Sequence, residues 1–212
     1  MPTRIKICGI TRAEDALLAV GLGASALGFN FYPPSPRYIA PPAARALIRQ
    51  LPPFVMTVGV FADETEADRV VAVAQEAGVA AIQLHGPKFP DPSEDSRFGA
   101  FSLIRAVAVG DGFRPQDLAR FKASAFLLDT LDPALRGGTG KTFDWSLARE
   151  AKRFGPIILA GGLTPENVCQ AIMEVRPFAV DVASGVESAP GKKDPFRLRA
   201  FFAAVEQADR TK

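Results

Sequence analysis

Short apolar runs alternate with amphipathic stretches along nearly the whole chain of 212 residues. The apolar runs are rich in β-branched and aliphatic side chains, which is typical of strands that are covered on both faces. Strict alternation of apolar and polar residues is weak, so a sandwich with one wet face is disfavoured. The eight predicted strands are Arg4–Ile10, Ala26–Phe31, Val55–Phe61, Ala80–Leu84, Leu103–Val109, Ala125–Leu128, Ile157–Ala160 and Ala179–Val182.

Helices are predicted between these strands. In Glu64–Ala77 the apolar side chains recur at spacings of three and four residues, and Gly78 follows as a stop signal. Thr164 and Asp194 are each followed by a proline, which is common where a helix begins. The predicted helices are Ala13–Gly21 with Thr11 as its N-cap, Glu64–Ala77, Thr164–Val175, Asp194–Ala208, and stretches after Pro41, near Pro115 and after Asp144, whereas the prolines of Lys88–Gly99 favour a loop.

The order of these elements predicts the fold. Eight strand candidates and eight crossover segments alternate strictly, a pattern typical of a parallel sheet with right-handed crossovers. Eight such units fit one closed (βα)8 TIM barrel of the α/β class, with residues 1–212 forming a single catalytic domain. An open doubly wound sheet is the alternative topology that the same alternation allows.

Composition and charge narrow the classes of function. The formal net charge of +2 is spread along the chain, so we expect no nucleic-acid partner. No apolar run approaches the roughly 18 residues of a membrane span, and the first residues lack the apolar core of a signal peptide. We therefore expect no membrane partner and a cytoplasmic location. One histidine, two separate cysteines and no CxxC pair predict neither a metal site nor a disulfide framework.

In a (βα)8 barrel the functional side chains follow the carboxyl ends of the strands. Cys8 and Asp129 occupy such positions after the first and sixth strands. A buried structural cysteine and a turn aspartate are the ordinary interpretations. At a catalytic rim, however, a thiol whose pKa is lowered by Lys6, a local dipole or substrate and a carboxyl whose pKa is raised are suited to base and acid catalysis. Asp181 lies inside an apolar strand, where an ionised carboxylate is costly unless it faces the rim.

Arg37 and His85 are further candidates near strand ends. Arg37 is either a surface arginine or a fork for a substrate carboxylate. His85 is the only histidine, and a lone histidine is more often structural than catalytic, but it too ends a strand. Cys169 lies among apolar residues of a predicted helix, so we assign it to structure.

Paired small residues follow the seventh and eighth strands. Gly161-Gly162 and Ser184-Gly185 let backbone N–H groups approach an anion closely, so they predict a phosphate site, with tight turns as the alternative. The glycine-rich segment Arg136–Thr142 lacks the spacing of a Walker A motif. We therefore interpret it as a flexible loop that closes over a site rather than as a nucleotide-binding loop.

Motifs between residues 6 and 194 make the chain resemble the phosphoribosylanthranilate isomerase family, and they occur in that family's order. They are KICGIT (6–11), SPRYI (35–39), VGVF (58–61), QLHG (83–86), LLDT (127–130), GGTGKTFDW (137–145), LAGGLTPENV (159–168), DVASGVE (181–187) and GKKD (191–194). The resemblance implies a (βα)8 enzyme of tryptophan biosynthesis that needs no cofactor. It also implies a small phosphorylated substrate and a monomer or homodimer.

By this resemblance, the reaction is the Amadori rearrangement of N-(5'-phosphoribosyl)anthranilate to 1-(2-carboxyphenylamino)-1-deoxyribulose 5-phosphate. Asp129 would be the general acid that opens the sugar ring, and Cys8 the base that takes the proton from C2. Arg37, His85 and Asp181 would contact the substrate, Arg37 through the anthranilate carboxylate. The residues that would hold the phosphate are Gly161, Gly162, Ser184 and Gly185. The chain departs from the family's pattern at Asn30 and Ala183, and we expect the change at Ala183 to leave activity intact.

Two other functions are compatible with parts of the sequence. A sister barrel isomerase of a histidine-pathway ribonucleotide resembles this one but uses aspartates after the first and fifth strands, where this chain has Cys8 and Val109. A non-catalytic phosphate-binding or regulatory barrel would keep the glycine loops, but it has no need of both Cys8 and Asp129. Both alternatives are therefore disfavoured.

Overall fold

Eight parallel strands form the centre of the protein in the computed structural model, which describes residues 1–64, 66–86, 96–110, 112–130 and 144–211. The strands are β1 (Arg4–Ile7), β2 (Ala26–Asn30), β3 (Met56–Ala62), β4 (Ala81–His85), β5 (Ser102–Val109), β6 (Ala125–Thr130), β7 (Ile157–Leu159) and β8 (Ala179–Val182). They close into a barrel, because β1 pairs with β2 on one side and with β8 on the other. The predicted (βα)8 barrel is confirmed, and the open doubly wound sheet is excluded.

Helices connect the strands within the described ranges. The α-helices there are α1 (Ala13–Gly21), α2 (Pro41–Ile48), α3 (Ala67–Ala77), α4 (Trp145–Ala151), α5 (Val168–Val175) and α6 (Pro195–Thr211). Single 3₁₀ turns or short 3₁₀ helices occupy Ser96–Phe98, Pro115–Arg120, Lys152–Phe154 and Ser184–Val186. A small antiparallel hairpin, β9 (Glu187–Ala189) and β10 (Lys192–Lys193), lies between β8 and α6.

Several elements differ from the prediction in extent. The first strand ends at Ile7 rather than Ile10, because Gly9 adopts a left-handed conformation with φ of 73°. Thr11 does not cap α1, since its hydroxyl donates instead to the carbonyl of Gly191. The segment near Pro115 is a 3₁₀ helix, because its buried side chains, Pro115 and Leu118, lie three residues apart, the period of that helix.

The start of α5 also differs from the prediction, whereas the start of α6 agrees with it. The helix α5 begins at Val168 rather than Thr164, because the Thr164 hydroxyl accepts from the Glu166 N–H and holds a turn there. Asp194 caps α6 as predicted, accepting from the N–H groups of Phe196 and Arg197. Most of Lys88–Gly99 and all of Arg136–Thr142 lie outside the described residues.

Side chains alternate between two cores along every strand, as a pleated backbone requires. Phe126 and Leu128 point outward into the large core between barrel and helices, whereas Leu127 points into the barrel. The interior cluster consists mainly of small and β-branched residues, namely Val58, Ala81, Ile104, Ala106, Ala125, Leu127, Ile158, Ala160 and Ala179. The barrel is therefore filled with apolar side chains in its lower half, and the residues nearer the strands' carboxyl ends form its mouth.

The packing of α5 on the barrel can be tested with two adjacent residues. Ile172 is fully buried, whereas Met173 is 49% exposed. We expect Ile172→Ala to reduce the free energy of unfolding by about 2–5 kcal/mol, because it leaves a cavity in the core. Met173→Ala should change it by less than about 0.5 kcal/mol. Urea denaturation followed by circular dichroism measures both, and equal effects of the two substitutions would contradict the assigned faces of α5.

Candidate active site

The alternation of side chains places the candidate residues in the barrel mouth. On β6, Ala125 and Leu127 belong to the interior cluster, so Asp129, two residues further on, faces the same way. On β8, Ala179 is followed at the same spacing by Asp181. Cys8 comes directly after β1, and its backbone N–H donates to the carbonyl of Val182. Inward-facing residues of successive strands therefore meet at one end of the barrel.

A cavity of about 140 Å³ at this mouth brings all the candidates together. It is lined by each of the residues singled out from the sequence: Cys8, Arg37, His85, Asp129, Gly161, Gly162, Asp181, Ser184 and Gly185. Sequence reasoning missed Gln83 and Ser35 as lining residues, although both lie in motifs of the resemblance. Gln83 was recognisable from its position two residues before His85 on the same inward-facing row.

Asp129 has the properties of an acid. Burial in the mouth raises the pKa of its carboxyl to about 6, and the neighbouring Asp181 carboxylate acts in the same direction. A hydrogen bond from the Thr130 backbone and the charge of Lys6 oppose that rise without cancelling it. The raised pKa expected from the sequence is thus found, and it leaves part of the Asp129 population protonated near neutral pH.

Cys8 does not have the lowered pKa that the sequence suggested. Burial raises the pKa of its thiol, and the Asp181 carboxylate raises it further. The ammonium groups of Lys6 and Lys193 lower it, as expected for cations, but the loss of solvation outweighs them. The lowering effect expected of Lys6 is thus present, but the sequence did not show how deeply the thiol is buried, and burial sets the net direction.

Lys6 and Asp181 form a buried ion pair beneath the mouth. The Lys6 Nζ lies 2.8 Å from Asp181 Oδ1, and their side chains are only 3% and 10% exposed. Burial by itself would lower the pKa of Lys6, but the charges of Asp181 and Cys8 raise it above its ordinary value, so the ammonium stays charged. The pair explains how an aspartate is tolerated within the apolar strand β8.

Arg37 is held by a second ion pair. Its Nε and Nη2 atoms donate to both carboxylate oxygens of Glu187 at 2.7–3.1 Å, so the remaining Nη1 is the nitrogen left for a ligand. Lys193, buried in the hairpin, donates to Glu187 Oε1 at 2.8 Å and to the Cys8 carbonyl at 2.6 Å. The two cations lower the pKa of Glu187 against the effect of its burial. Sequence reasoning gave Glu187 and Lys193 no role.

His85 is neutral in this site. Burial lowers the pKa of its imidazole to about 4, and the charges of Lys6 and Arg105 act in the same direction. Its Nε2 lies 2.7 Å from Gln83 Nε2, within hydrogen-bonding distance of the amide. Within the described residues, the buried Oε1 of Gln83 has no hydrogen-bond partner. This arrangement suits His85 to contact a substrate, not to transfer protons at neutral pH.

Gly161 and Gly185, in the loops after β7 and β8, have no room for a side chain. A Cβ added to Gly161 would collide with the Thr130 side chain and backbone, and one added to Gly185 would collide with the Leu163 carbonyl. Asn167 fixes the first loop, donating to the Gly162 carbonyl at 2.9 Å. Two adjacent glycine-containing loops at the mouth suit a phosphate group, which is commonly bound at this position in such barrels.

Other kinds of site are not evident in the parts of the chain described above. Those ranges bring no three His, Cys, Asp or Glu side chains together in a way that could hold a metal ion. Among their helices, none is both long and apolar enough to cross a membrane.

Comparison with known proteins places the chain among isomerases. The family model of N-(5'-phosphoribosyl)anthranilate isomerase matches residues 5–204. A curated protein of that name from Syntrophus aciditrophicus is 52% identical over 205 residues, which cover 97% of this chain and 88% of the relative.

Solved structures of the same enzyme share the fold. A phosphoribosyl anthranilate isomerase in complex with reduced 1-(o-carboxyphenylamino)-1-deoxyribulose 5-phosphate is similar with a TM-score of 0.81 and 42% identity, over 97% of this chain and 99% of that one. Monomers generated from the dimeric enzyme of Thermotoga maritima give a TM-score of 0.81 and 40% identity over the same shares. The match along nearly the whole sequence, together with the shared barrel, shows that the chain belongs to the N-(5'-phosphoribosyl)anthranilate isomerase family.

Proposed function

We propose that the protein catalyses the Amadori rearrangement of N-(5'-phosphoribosyl)anthranilate to 1-(2-carboxyphenylamino)-1-deoxyribulose 5-phosphate, a step of tryptophan biosynthesis. The proposal is carried by one observation. In a chain of this isomerase family, Cys8 and Asp129 line the same cavity as the two bare glycine loops. The reaction needs an acid, a base and an anchor for the phosphate, and this cavity offers all three.

The first step opens the sugar ring. The protonated carboxyl of Asp129 gives its proton to the ring oxygen, the bond from that oxygen to C1 breaks, and the anilino nitrogen forms a protonated Schiff base with C1. Asp129 ends the step as a carboxylate. Its raised pKa supports this role, because a carboxyl of ordinary pKa would rarely carry the proton near neutral pH.

The second step moves a carbon-bound proton. The thiolate of Cys8 takes the proton from C2, and the electrons of that bond neutralise the Schiff base to give an enolamine. The enolamine gains a proton at C1 and loses one from its C2 hydroxyl, which produces the ketone. Substrate and product are isomers, and one proton passed from the Cys8 thiol to the Asp129 carboxylate restores the starting state.

The remaining residues hold the two ends of the substrate. Gly161, Gly162, Ser184 and Gly185 are placed to bind the phosphate through backbone groups, and Arg37 has Nη1 available for the anthranilate carboxylate. Asp181 and His85 line the space between these ends. The sister isomerase with a fifth-strand aspartate finds no support, since β5 ends at Val109.

Purified protein should consume phosphoribosylanthranilate faster than the substrate decays by itself. The loss of the substrate's fluorescence measures both rates. Cys8→Ala and Asp129→Asn should each lower kcat by about 10²- to 10⁴-fold, because each removes one proton-transfer group. Binding of a product analogue, measured by calorimetry, should change little in either variant. Wild-type turnover by Cys8→Ala would contradict the mechanism, and absence of turnover by the wild type would favour a regulatory barrel.

The pH dependence of kcat/KM follows from the two pKa values. The reaction needs Asp129 protonated and Cys8 ionised, so these two groups together must hold a single proton. That condition holds from the pKa of Asp129, about 6, to the raised pKa of Cys8. We expect a plateau between these limits and a tenfold fall per pH unit outside them.

A control assigns the acid limb of this profile. The substrate phosphate also titrates near pH 6. The residual activity of Asp129→Asn should lack the acid limb if Asp129 causes it. A limb that survives in Asp129→Asn belongs to the phosphate and would remove the support that the profile gives to Asp129.

The opposite end of the barrel supports a homodimer. A cavity of about 600 Å³ opens there between the amino ends of the strands, and Phe54 at its edge is 96% exposed. A twofold axis would seat each Phe54 in the cavity of a second copy, an interface that uses the same patch twice. The relative from Thermotoga maritima is dimeric.

Light scattering after size-exclusion chromatography tests the dimer. The wild type should run at twice the chain mass, and Phe54→Glu at the chain mass with its turnover retained, because the catalytic mouth lies at the other end. Phe196→Glu, at an 84% exposed phenylalanine away from this cavity, should stay dimeric. If the dimer had a Kd of about 1 μM, nearly all of the protein would be dimeric at a concentration of about 100 μM. A wild type that is monomeric at that concentration would contradict the dimer.

A further inference from the structure

We propose that Lys6 is a positioning residue for Cys8: its ammonium group is held near the sulfur from inside the barrel and stabilises the thiolate that removes the C2 proton. This inference rests on the proposed function, which makes Cys8 the base. It gives a role to Lys6, a buried cation that takes no part in the acid and base steps described above.

The position of Lys6 follows from the strand itself. It lies two residues before Cys8 on the same inward-facing row, while Ile5 and Ile7 point into the outer core. Its side chain is 3% exposed, and its Nζ is fixed 2.8 Å from Asp181 Oδ1. The ammonium therefore cannot swing into solvent and remains below the mouth.

Gly28 on the neighbouring strand β2 shows how close the two groups are. A Cβ built on Gly28 would lie 2.9 Å from Cys8 Sγ and 3.2 Å from Lys6 Nζ. The sulfur and the nitrogen thus lie within about 6 Å of each other, a distance at which an opposite charge favours ionisation. The missing side chain of Gly28 leaves the space in which they approach.

The other charged groups around Cys8 do not replace Lys6. Asp181, on β8, opposes ionisation of the thiol. Lys193, on β10, favours it but is tied by hydrogen bonds to Glu187 and to the carbonyls of Cys8 and Ala183. Of the two cations, Lys6 has the larger effect on the thiol.

A purely structural role explains the burial of Lys6 poorly. The barrel interior below it is apolar, and exchanging a buried ion pair for apolar residues is often neutral or stabilising. An ammonium that served only to neutralise Asp181 would need no approach to the sulfur. Its place between the carboxylate and the thiol is accounted for if it acts on both.

The test titrates the thiol without using substrate. The rate of alkylation of Cys8 by iodoacetamide is measured against pH in a Cys169→Ala background, so that one thiol reacts. Lys6→Met should raise the midpoint of this profile by about one to three pH units relative to the background protein. Lys6→Arg, which keeps the charge, should move it less.

A second pair of variants separates direct action from neutralisation of Asp181. Asp181→Asn should lower the midpoint, because the ammonium is freed for the thiolate. Adding Lys6→Met to Asp181→Asn should then raise it again if Lys6 acts directly on Cys8. Equal midpoints for Asp181→Asn and the double variant would overturn the proposal.

Separate controls cover folding and function. Lys6→Met leaves Asp181 buried without a partner, so circular dichroism checks that this variant is folded. If it is unfolded, the comparison of Asp181→Asn with the double variant decides alone. An unfolded protein would titrate near the ordinary thiol pKa of about 8.5. If Cys8→Ala proves active, the proposed mechanism fails, but the alkylation profiles still report whether Lys6 stabilises the thiolate.

Discussion

The barrel mouth holds charged side chains that are removed from water, and such charges must be compensated. Lys6 and Asp181 compensate each other's charge in a buried ion pair. Its two ends act differently on the two groups of the proposed reaction. At Asp129 the carboxylate of Asp181 has the larger effect, and it raises the pKa. At Cys8 the ammonium of Lys6 has the larger effect, and it lowers the pKa against burial. The one ion pair therefore shifts the pKa of Asp129 upward and that of Cys8 downward, because a different end of the pair has the larger effect on each group.

A second ion network ties the far side of the mouth to the chain beyond β8. Lys193 reaches from the hairpin to the Cys8 carbonyl and to Glu187, and Glu187 in turn holds Arg37. The network joins segments that are about 150 residues apart in sequence, and it leaves one nitrogen of Arg37 for a ligand. The positions of Arg37, the proposed carboxylate anchor, and of Cys8, the proposed base, therefore depend on the same buried lysine, Lys193.

The sequence predicted the parts of the site whose geometry depends only on the alternation of side chains along a strand. Strand alternation and the rule that functional residues follow barrel strands were enough to predict that Cys8, Asp129 and Asp181 meet, because both hold for any barrel of this kind. The ion pair of Arg37 with Glu187 was not predictable in the same way, since it depends on how a hairpin folds back. The net direction in which the pKa of Cys8 shifts was not predictable either, for a related reason. Its value depends on the depth of burial, which a motif does not encode.

The protonation states explain why the mouth needs its buried charges. At neutral pH the common form has Asp129 ionised and Cys8 protonated, which is the reverse of the form that the proposed mechanism requires. The share of the reactive form depends on the difference between the two pKa values, and it rises tenfold for each unit by which that difference narrows. The pair narrows this difference, because Asp181 outweighs Lys6 at Asp129 and Lys6 outweighs Asp181 at Cys8. With neutral residues at these two positions, a smaller share of the molecules would carry the proton arrangement that the proposed mechanism requires.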